Sequence, residues 1–280
     1  MGDRRGVAVT VADIVLVLRE AFPFETAASW DNNGLLVGDG AAEVTGVALA
    51  LEPTVDALAE TVAIGANVLV THHPATLDPI TAVSPHTAYA SEVVYRAIEA
   101  GVALICVHTP LDLALAAKLM TGEALNLRPI GDLNHAHPDP LAPNMGGQPT
   151  GPEYGYLWRA PDGATLGSLA ISAAEVYGAG VRGWGDQDLE VRTVATGTGS
   201  GSSLVGDAWD AGAEVLVVGE LKYHLAVEAL DRGLAVIEVG HDRSEWPLVG
   251  LLESVVREVC GPEGVEVTVL EPVHSWWTVA

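Results

Sequence analysis

Basic residues are scarce in this sequence: 13 Lys plus Arg stand against 37 Asp plus Glu in 280 residues, a formal net charge of −24. Lysine occurs only at Lys118 and Lys222. A surface this acidic repels phosphate backbones and anionic lipid heads, which disfavours nucleic acid as a main partner and argues against a DNA-encircling ring. Cysteine is nearly absent, at Cys106 and Cys260 only. Two isolated thiols make neither a disulfide framework nor a CxxC zinc motif. Cys106 lies in an apolar run and reads as a buried core thiol. Charged residues make up 18%, below the roughly 25% usual in soluble domains. No apolar run approaches the roughly 18 residues of a membrane span. The opening residues 1–13 lack the apolar stretch of a signal peptide. A cytoplasmic protein without a membrane partner is the expectation.

What the sequence has is 49% hydrophobic residues, enough for one large domain or two modest ones. Thr10 opens a helix to Glu20 with Thr-x-x-Asp, a shortened capping box, and Val11, Ile14, Val15 and Leu18 share one face. Strands are expected at 44–51, 67–71, 102–107, 191–195, 215–218, 234–239 and 265–270. Helices are expected at 53–64, 87–100, 204–211, 224–231 and 245–259, the last tolerating Pro247 near its start. Residues 165–176 form a helix or a strand. Short apolar strands alternating with helices indicate an α/β fold with buried parallel sheets. Residues 128–163, rich in Pro, Gly, Asp and Asn, read as long loops with a domain boundary.

Three apolar strands end in metal-ligating residues: His72-His73, then Asp112, then His241. Ligands of open α/β sheets bind outside the carboxyl ends of strands, so residues distant in sequence can converge there. His241 and Glu245 are four apart and share a face if the chain turns helical. Adjacent histidines diverge from an extended strand and suit two neighbouring ions, one each. A carboxylate can bridge such a pair, with a water or hydroxide held between the ions. A nitrogen and oxygen shell without thiolate suits Zn, Mn, Fe, Co or Ni. Taken singly, Asp112 is equally an N-cap for a helix at 113–120, and His-His-Pro a polar turn.

In these stretches the sequence resembles the NIF3-like family of dinuclear metal-centre proteins, associated with type 2 GTP cyclohydrolase I. The matching motifs are Ser29-Trp30-Asp31-Asn32-Asn33-Gly34-Leu35-Leu36-Val37-Gly38, Thr71-His72-His73-Pro74, Val107-His108-Thr109-Pro110-Leu111-Asp112, Gly219-Glu220-Leu221-Lys222-Tyr223-His224, and Gly240-His241 with Glu245. The resemblance implies two divalent ions per chain. His72 and Asp112 would hold one, His73 and His241 the other, and Glu245 would bridge. It also implies two interlinked α/β domains with mixed or parallel sheets, 1–127 plus 238–280 and 128–237, with the metals in a cleft between them. A homohexameric ring of short-form chains follows from the same likeness. Three departures stand out: Pro110 where the family has Asn, Asp242-Arg243-Ser244 where it often has Tyr-Ala-Thr, and Ala75-Thr76-Leu77-Asp78 in place of an apolar stretch.

Other residues carry two readings each. His108 is a catalytic acid or base, or a group that holds a ligand in place; otherwise it is a hydrogen-bonded core imidazole. Glu220 and His224 line the site or merely open a helix. The Gly/Ser loop 196–203 cradles an anion or is a plain flexible turn; it lacks the Lys of a Walker A motif. Trp30-Asp31-Asn32 reads as a segment that positions the first helix against the cleft rather than touching substrate, Trp276-Trp277 as an exposed aromatic element docking onto another subunit or domain, and His135 and His137 as solvated loop residues. The functional expectation is a metal-dependent hydrolase acting through a metal-bridging hydroxide on a nucleotide or other small metabolite. The rival is a metal-stabilised scaffold without catalysis.

Overall fold

The computed structural model describes residues 8–133, 154–178 and 180–272. His135, His137 and Trp276-Trp277 lie outside the described residues. The chain divides into two compact units, Met1–Leu111 with Leu248–His274, and Asp112–Pro247 with Ser275–Ala280. Strands in chain order are β1 (Gly34–Val37), β2 (Val47–Ala50), β3 (Val68–Thr71), β4 (Ala103–Cys106), β5 (Arg128–Asp132), β6 (Tyr156–Arg159), β7 (Arg182–Trp184), β8 (Thr193–Thr196), β9 (Val215–Val218), β10 (Ala235–Glu238) and β11 (Val267–Val269). Helices are α1 (Val11–Ala21), α2 (Val55–Ala63), α3 (Tyr89–Ala100), α4 (Thr109–Asp112), α5 (Leu115–Ala124), α6 (Leu166–Tyr177), α7 (Leu204–Asp210), α8 (Tyr223–Asp231), α9 (His241–Glu245) and α10 (Leu248–Glu263). No described helix is long and apolar enough to cross a membrane.

The first unit is built on a sheet of order β1-β4-β3-β2-β11. β11, β2, β3 and β4 run parallel, and β1 pairs antiparallel with β4. Every residue of β2, β3 and β4 is buried, as expected of parallel strands covered on both faces. Ala57, Leu58, Val93 and Ala97 of α2 and α3 pack on Ala48, Ala50, Leu69 and Leu104. The residues of opposite parity, such as Val47, Leu49 and Val70, face the other way, where α1 and α10 pack together and α10 reaches β2. The capping box of α1 is present: the Asp13 N–H donates to Thr10 Oγ1, and the Thr10 N–H donates to the Asp13 carboxylate at 2.8 Å.

The second unit holds a sheet of order β5-β6-β8-β9-β10-β7. β8, β9 and β10 are parallel, whereas β5, β6 and β7 pair antiparallel. Val215 and Val217 of β9 belong to one apolar layer with Leu166, Leu169 and Ala173 of α6. Leu216 and Val218 belong to the other, with Leu204, Ala208 and Ala226 of α7 and α8. Both units are therefore sheets sandwiched between helices.

The segment 128–163 is not all loop. β5 and β6 border it, and Pro129 and Gly131 sit in β5, an edge strand where a missing N–H costs little. Residues 165–176 resolve as helix, opened by a capping box between Thr165 and Ser168. Asp112 is not an N-cap: it ends α4, and Ala114 caps α5.

Candidate metal centre

Parallel strands put their carboxyl ends on one edge, and in each unit the chemistry-bearing residues follow those ends. In the first unit His72 and His73 come directly after β3, and His108 two residues after β4. His72 is fully buried. Its Nδ1 lies 3.1 Å from the Val107 carbonyl, and its own carbonyl accepts from the Cys106 thiol. His73 Nδ1 lies 2.6 Å from Glu52 Oε1, and the His73 carbonyl accepts from Thr71 Oγ1 at 2.6 Å. His108 Nδ1 lies 2.7 Å from Asp31 Oδ1. All three Nδ1 partners are acceptors, so in the neutral rings Nδ1 carries the proton and Nε2 the lone pair. Candidate ligand atoms of His72, His73 and His108 lie within 4.8 Å of one another.

Asp31 is the anchor of this trio. Its side chain is 0% exposed. It accepts from His108 Nδ1, from the Thr109 N–H at 3.0 Å and its hydroxyl, and from Asn33 Nδ2 at 2.6 Å. Burial pushes its carboxyl up, but the hydrogen bonds from His108, Thr109 and Asn33 outweigh burial and hold it well below the usual carboxylate range. Asn33 also accepts from the His108 N–H at 2.7 Å. The loop from Trp30 to Asn33 thus fixes His108, a role that the sequence reading assigned to positioning the first helix.

The second unit contributes His241, Glu245, Asp112 and Glu220. His241 and Glu245 share the single turn α9, with His241 Nε2 3.2 Å from Glu245 Oε2. Glu245 is 4% exposed. His241 Nδ1 lies 3.1 Å from Glu220 Oε1 on the turn after β9. Asp112 Oδ1 is 3.2 Å from Thr198 Oγ1. His224 is exposed on the first turn of α8, and no contact with the other candidates is seen among the described residues.

The Gly/Ser loop is a fitted floor rather than a plain flexible turn. The Gly199 N–H donates to Ser244 Oγ at 2.9 Å, and Ser244 Oγ donates to the His241 carbonyl at 2.8 Å. The Gly199 carbonyl accepts from the Glu220 N–H, and the Glu220 carbonyl from the Gly201 N–H, each at 3.0 Å. Gly199 has φ +57, and a Cβ there would overlap the Glu245 carboxylate and lie 3.2 Å from His241 Nε2. A Cβ on Gly219 would lie 2.6 Å from Ser244 Oγ. Glycine is required at both positions by close approach to the candidate ligands.

One buried carboxylate stabilises the same turn from behind. Glu238 ends β10 and is 4% exposed. It accepts from Arg182 Nε at 2.7 Å and a second Arg182 nitrogen at 3.0 Å, from Trp184 Nε1, and from the Leu221 N–H at 2.8 Å. Burial pushes its carboxyl up, and the bonds from Arg182, Trp184 and Leu221 outweigh that and hold it below its ordinary value.

Of these groups, His72, His73, His108, Asp112, His241 and Glu245, buried or half-buried, could hold metal ions. The donor set fits a borderline divalent ion: nitrogen and oxygen, no thiolate, and a second bond orienting the histidines. Sequence reasoning missed Asp31, Glu52 and Ser244 as supports, and Gly199 as a steric requirement. The only sequence signal for them is a polar or glycine-rich run beside a strand end.

The sequence matches the family described as Duf34/NIF3 (NGG1p interacting factor 3) over residues 9–274. A Streptomyces coelicolor relative named GTP cyclohydrolase 1 type 2 homolog is 33% identical over 278 residues, 96% of this chain and 93% of the relative. Among solved structures, a Staphylococcus aureus hypothetical protein superposes with a TM-score of 0.82 at 23% identity, covering 98% of this chain and 100% of that one. A Bacillus cereus protein related to NIF3 superposes with a TM-score of 0.80 at 19% identity, covering 98% and 100%.

Proposed function

The chain belongs to the Duf34/NIF3 family, and from that premise we propose that it is a hydrolase working with two divalent ions on a nucleotide. In this reading His72 and Asp112 would hold one ion, His73 and His241 the other, and Glu245 would serve both. Two such ions would supply Lewis acidity and bring the pKa of a water toward neutrality. The observation that carries the reading is that the three proposed histidine ligands, His72, His73 and His241, each have Nδ1 against an acceptor, which leaves Nε2 for an ion.

The chain's own residues orient and move protons. The Val107 carbonyl sets the ring of His72, Glu52 that of His73, and Glu220 that of His241. Asp31 keeps a proton on His108 Nδ1, so His108 Nε2 is the atom that takes or returns a proton at the reacting group. The name of the Streptomyces coelicolor relative points to a purine nucleotide. Hydrolysis would add water across a carbon–nitrogen bond of its imidazole ring.

The test is metal-dependent turnover across a panel of nucleotides and simple phosphoesters, with Asp112→Asn as control. Turnover in the wild type that falls at least tenfold in the variant supports the reading. Equal turnover in both removes the hydrolase. Bound metal without turnover on any member favours the rival, a ring-shaped homohexameric scaffold, for which light scattering would give the subunit number.

A further inference from the structure

Trp30 is absorbed by neither the fold nor the proton chemistry. It is 55% exposed, although tryptophan is among the costliest side chains to leave in water. Exposed apolar residues scattered singly need no explanation, but Trp30 is not placed casually. Its ring meets that of His108 edge to face, with centroids 5.9 Å apart and planes at 73°. His108 in turn stands among His72 and His73, with ring centroids 5.2 and 5.4 Å away.

The backbone carrying this indole is pinned on both sides. The Asp31 N–H donates to the Ala28 carbonyl at 2.9 Å, and the Ala28 N–H donates to Thr109 Oγ1 at 3.1 Å. Asn32 Nδ2 donates to the Thr76 carbonyl at 2.7 Å, tying in the loop after His73. The Asp31 carboxylate fastens the next residue to His108 and Thr109. A rigid frame thus presents a large aromatic surface beside the histidine trio, already ordered before any ligand arrives.

We infer that Trp30 is the platform on which the base of the proposed nucleotide substrate stacks. The inference rests on the hydrolase reading above and assigns the residue that would hold the base. Stacking tolerates any base, because every base has a π-face, and an alanine substitution at such a platform weakens binding by about 10-fold or more. Ribose and phosphate offer no π-face and gain less from the indole.

Guanosine 5′-monophosphate and ribose 5-phosphate differ by the base alone, so the pair isolates the stacking contribution. Calorimetric titration of both into metal-loaded full-length protein, wild type, Trp30→Ala and Trp30→Phe, tests the inference. Metal content and thermal midpoint are measured on the same samples. The wild type should bind the nucleotide about tenfold more tightly than the sugar phosphate. Trp30→Ala should lose that advantage with the sugar phosphate and metal content unchanged, and Trp30→Phe should regain most of it. Unchanged nucleotide binding in Trp30→Ala overturns the inference, as does an equal loss for both probes. A wild type that binds metal but does not prefer the nucleotide overturns the inference and leaves the metal centre standing. A wild type that binds no metal overturns the reading beneath it.

Discussion

In the first unit His72, His73 and His108 are each held by a group that touches them: a carbonyl, Glu52 and Asp31. In the second unit His241 also has a touching partner in Glu220, but the seat that it shares with Glu245 is shaped by atoms that are missing, at Gly199 and Gly219. One arrangement fixes ring orientation through hydrogen bonds, and the other fixes position through close packing. The first should therefore fail when an acceptor is removed, and the second when a methyl group is added.

Asp31→Ala should have the largest effect. It strips the acceptor from His108, Thr109 and Asn33 at once, and donors left in this way cost about 1–3 kcal/mol each. Denaturant unfolding at neutral pH would show it. The gentler Asp31→Asn should keep the fold and the bound metal but lower turnover by about 100-fold, the low end of what a positioned proton-transfer group contributes, because His108 loses the carboxylate that holds its proton on Nδ1. Unchanged turnover in that variant would mean that His108 needs no anchor.

Gly199→Ala comes next. It combines left-handed backbone strain with overlap of the Glu245 carboxylate, about 2–4 kcal/mol in all. Gly101 supplies the comparison: its φ is +66, but a Cβ there meets nothing within 4 Å. Gly101→Ala should cost only the backbone part, about 1–2 kcal/mol, and leave metal binding intact. Equal metal occupancy in the two variants would refute the close-packing account of the second unit.

Among the groups that support the two sites, the smallest effect is expected at Glu238. Glu238→Gln should cost about 2 kcal/mol near neutral pH, the order of a charge-assisted hydrogen bond. Its folded carboxyl lies below its ordinary value, so the stabilisation is fully present above the unfolded value of about 4.3. It is lost as pH falls from there through the depressed folded value. The gap in unfolding midpoint between wild type and variant should shrink on acidification over that range, and a gap that widened would reverse the sign of the argument.

Much of this is legible in the sequence alone. β2, β3, β4, β9 and β10 are short and wholly buried, and Thr71, Val218 and Glu238 end β3, β9 and β10 just before polar or glycine-led turns, so both strands and edge could be read. The capping box at Thr10 is local and was equally plain. β5 was hidden by Pro129 and Gly131, and β7 by the three-residue Arg182–Trp184, because edge strands need little apolar patterning. The anchor at Asp31 was hidden by distance: its bond to His108 spans 77 residues. The need for glycine at Gly199 was hidden for the same reason, since Glu245 lies far along the chain and only packing brings them together.

The proposed function depends on His72, His73, Asp112, His241 and Glu245 together holding a pair of divalent ions. Elemental analysis of the purified protein, after reloading with divalent metal and exhaustive dialysis, tests it most directly. The account predicts about two ions per chain, with a clear deficit in His72→Ala and in Glu245→Ala. A wild-type chain that retains no metal after reloading would contradict it.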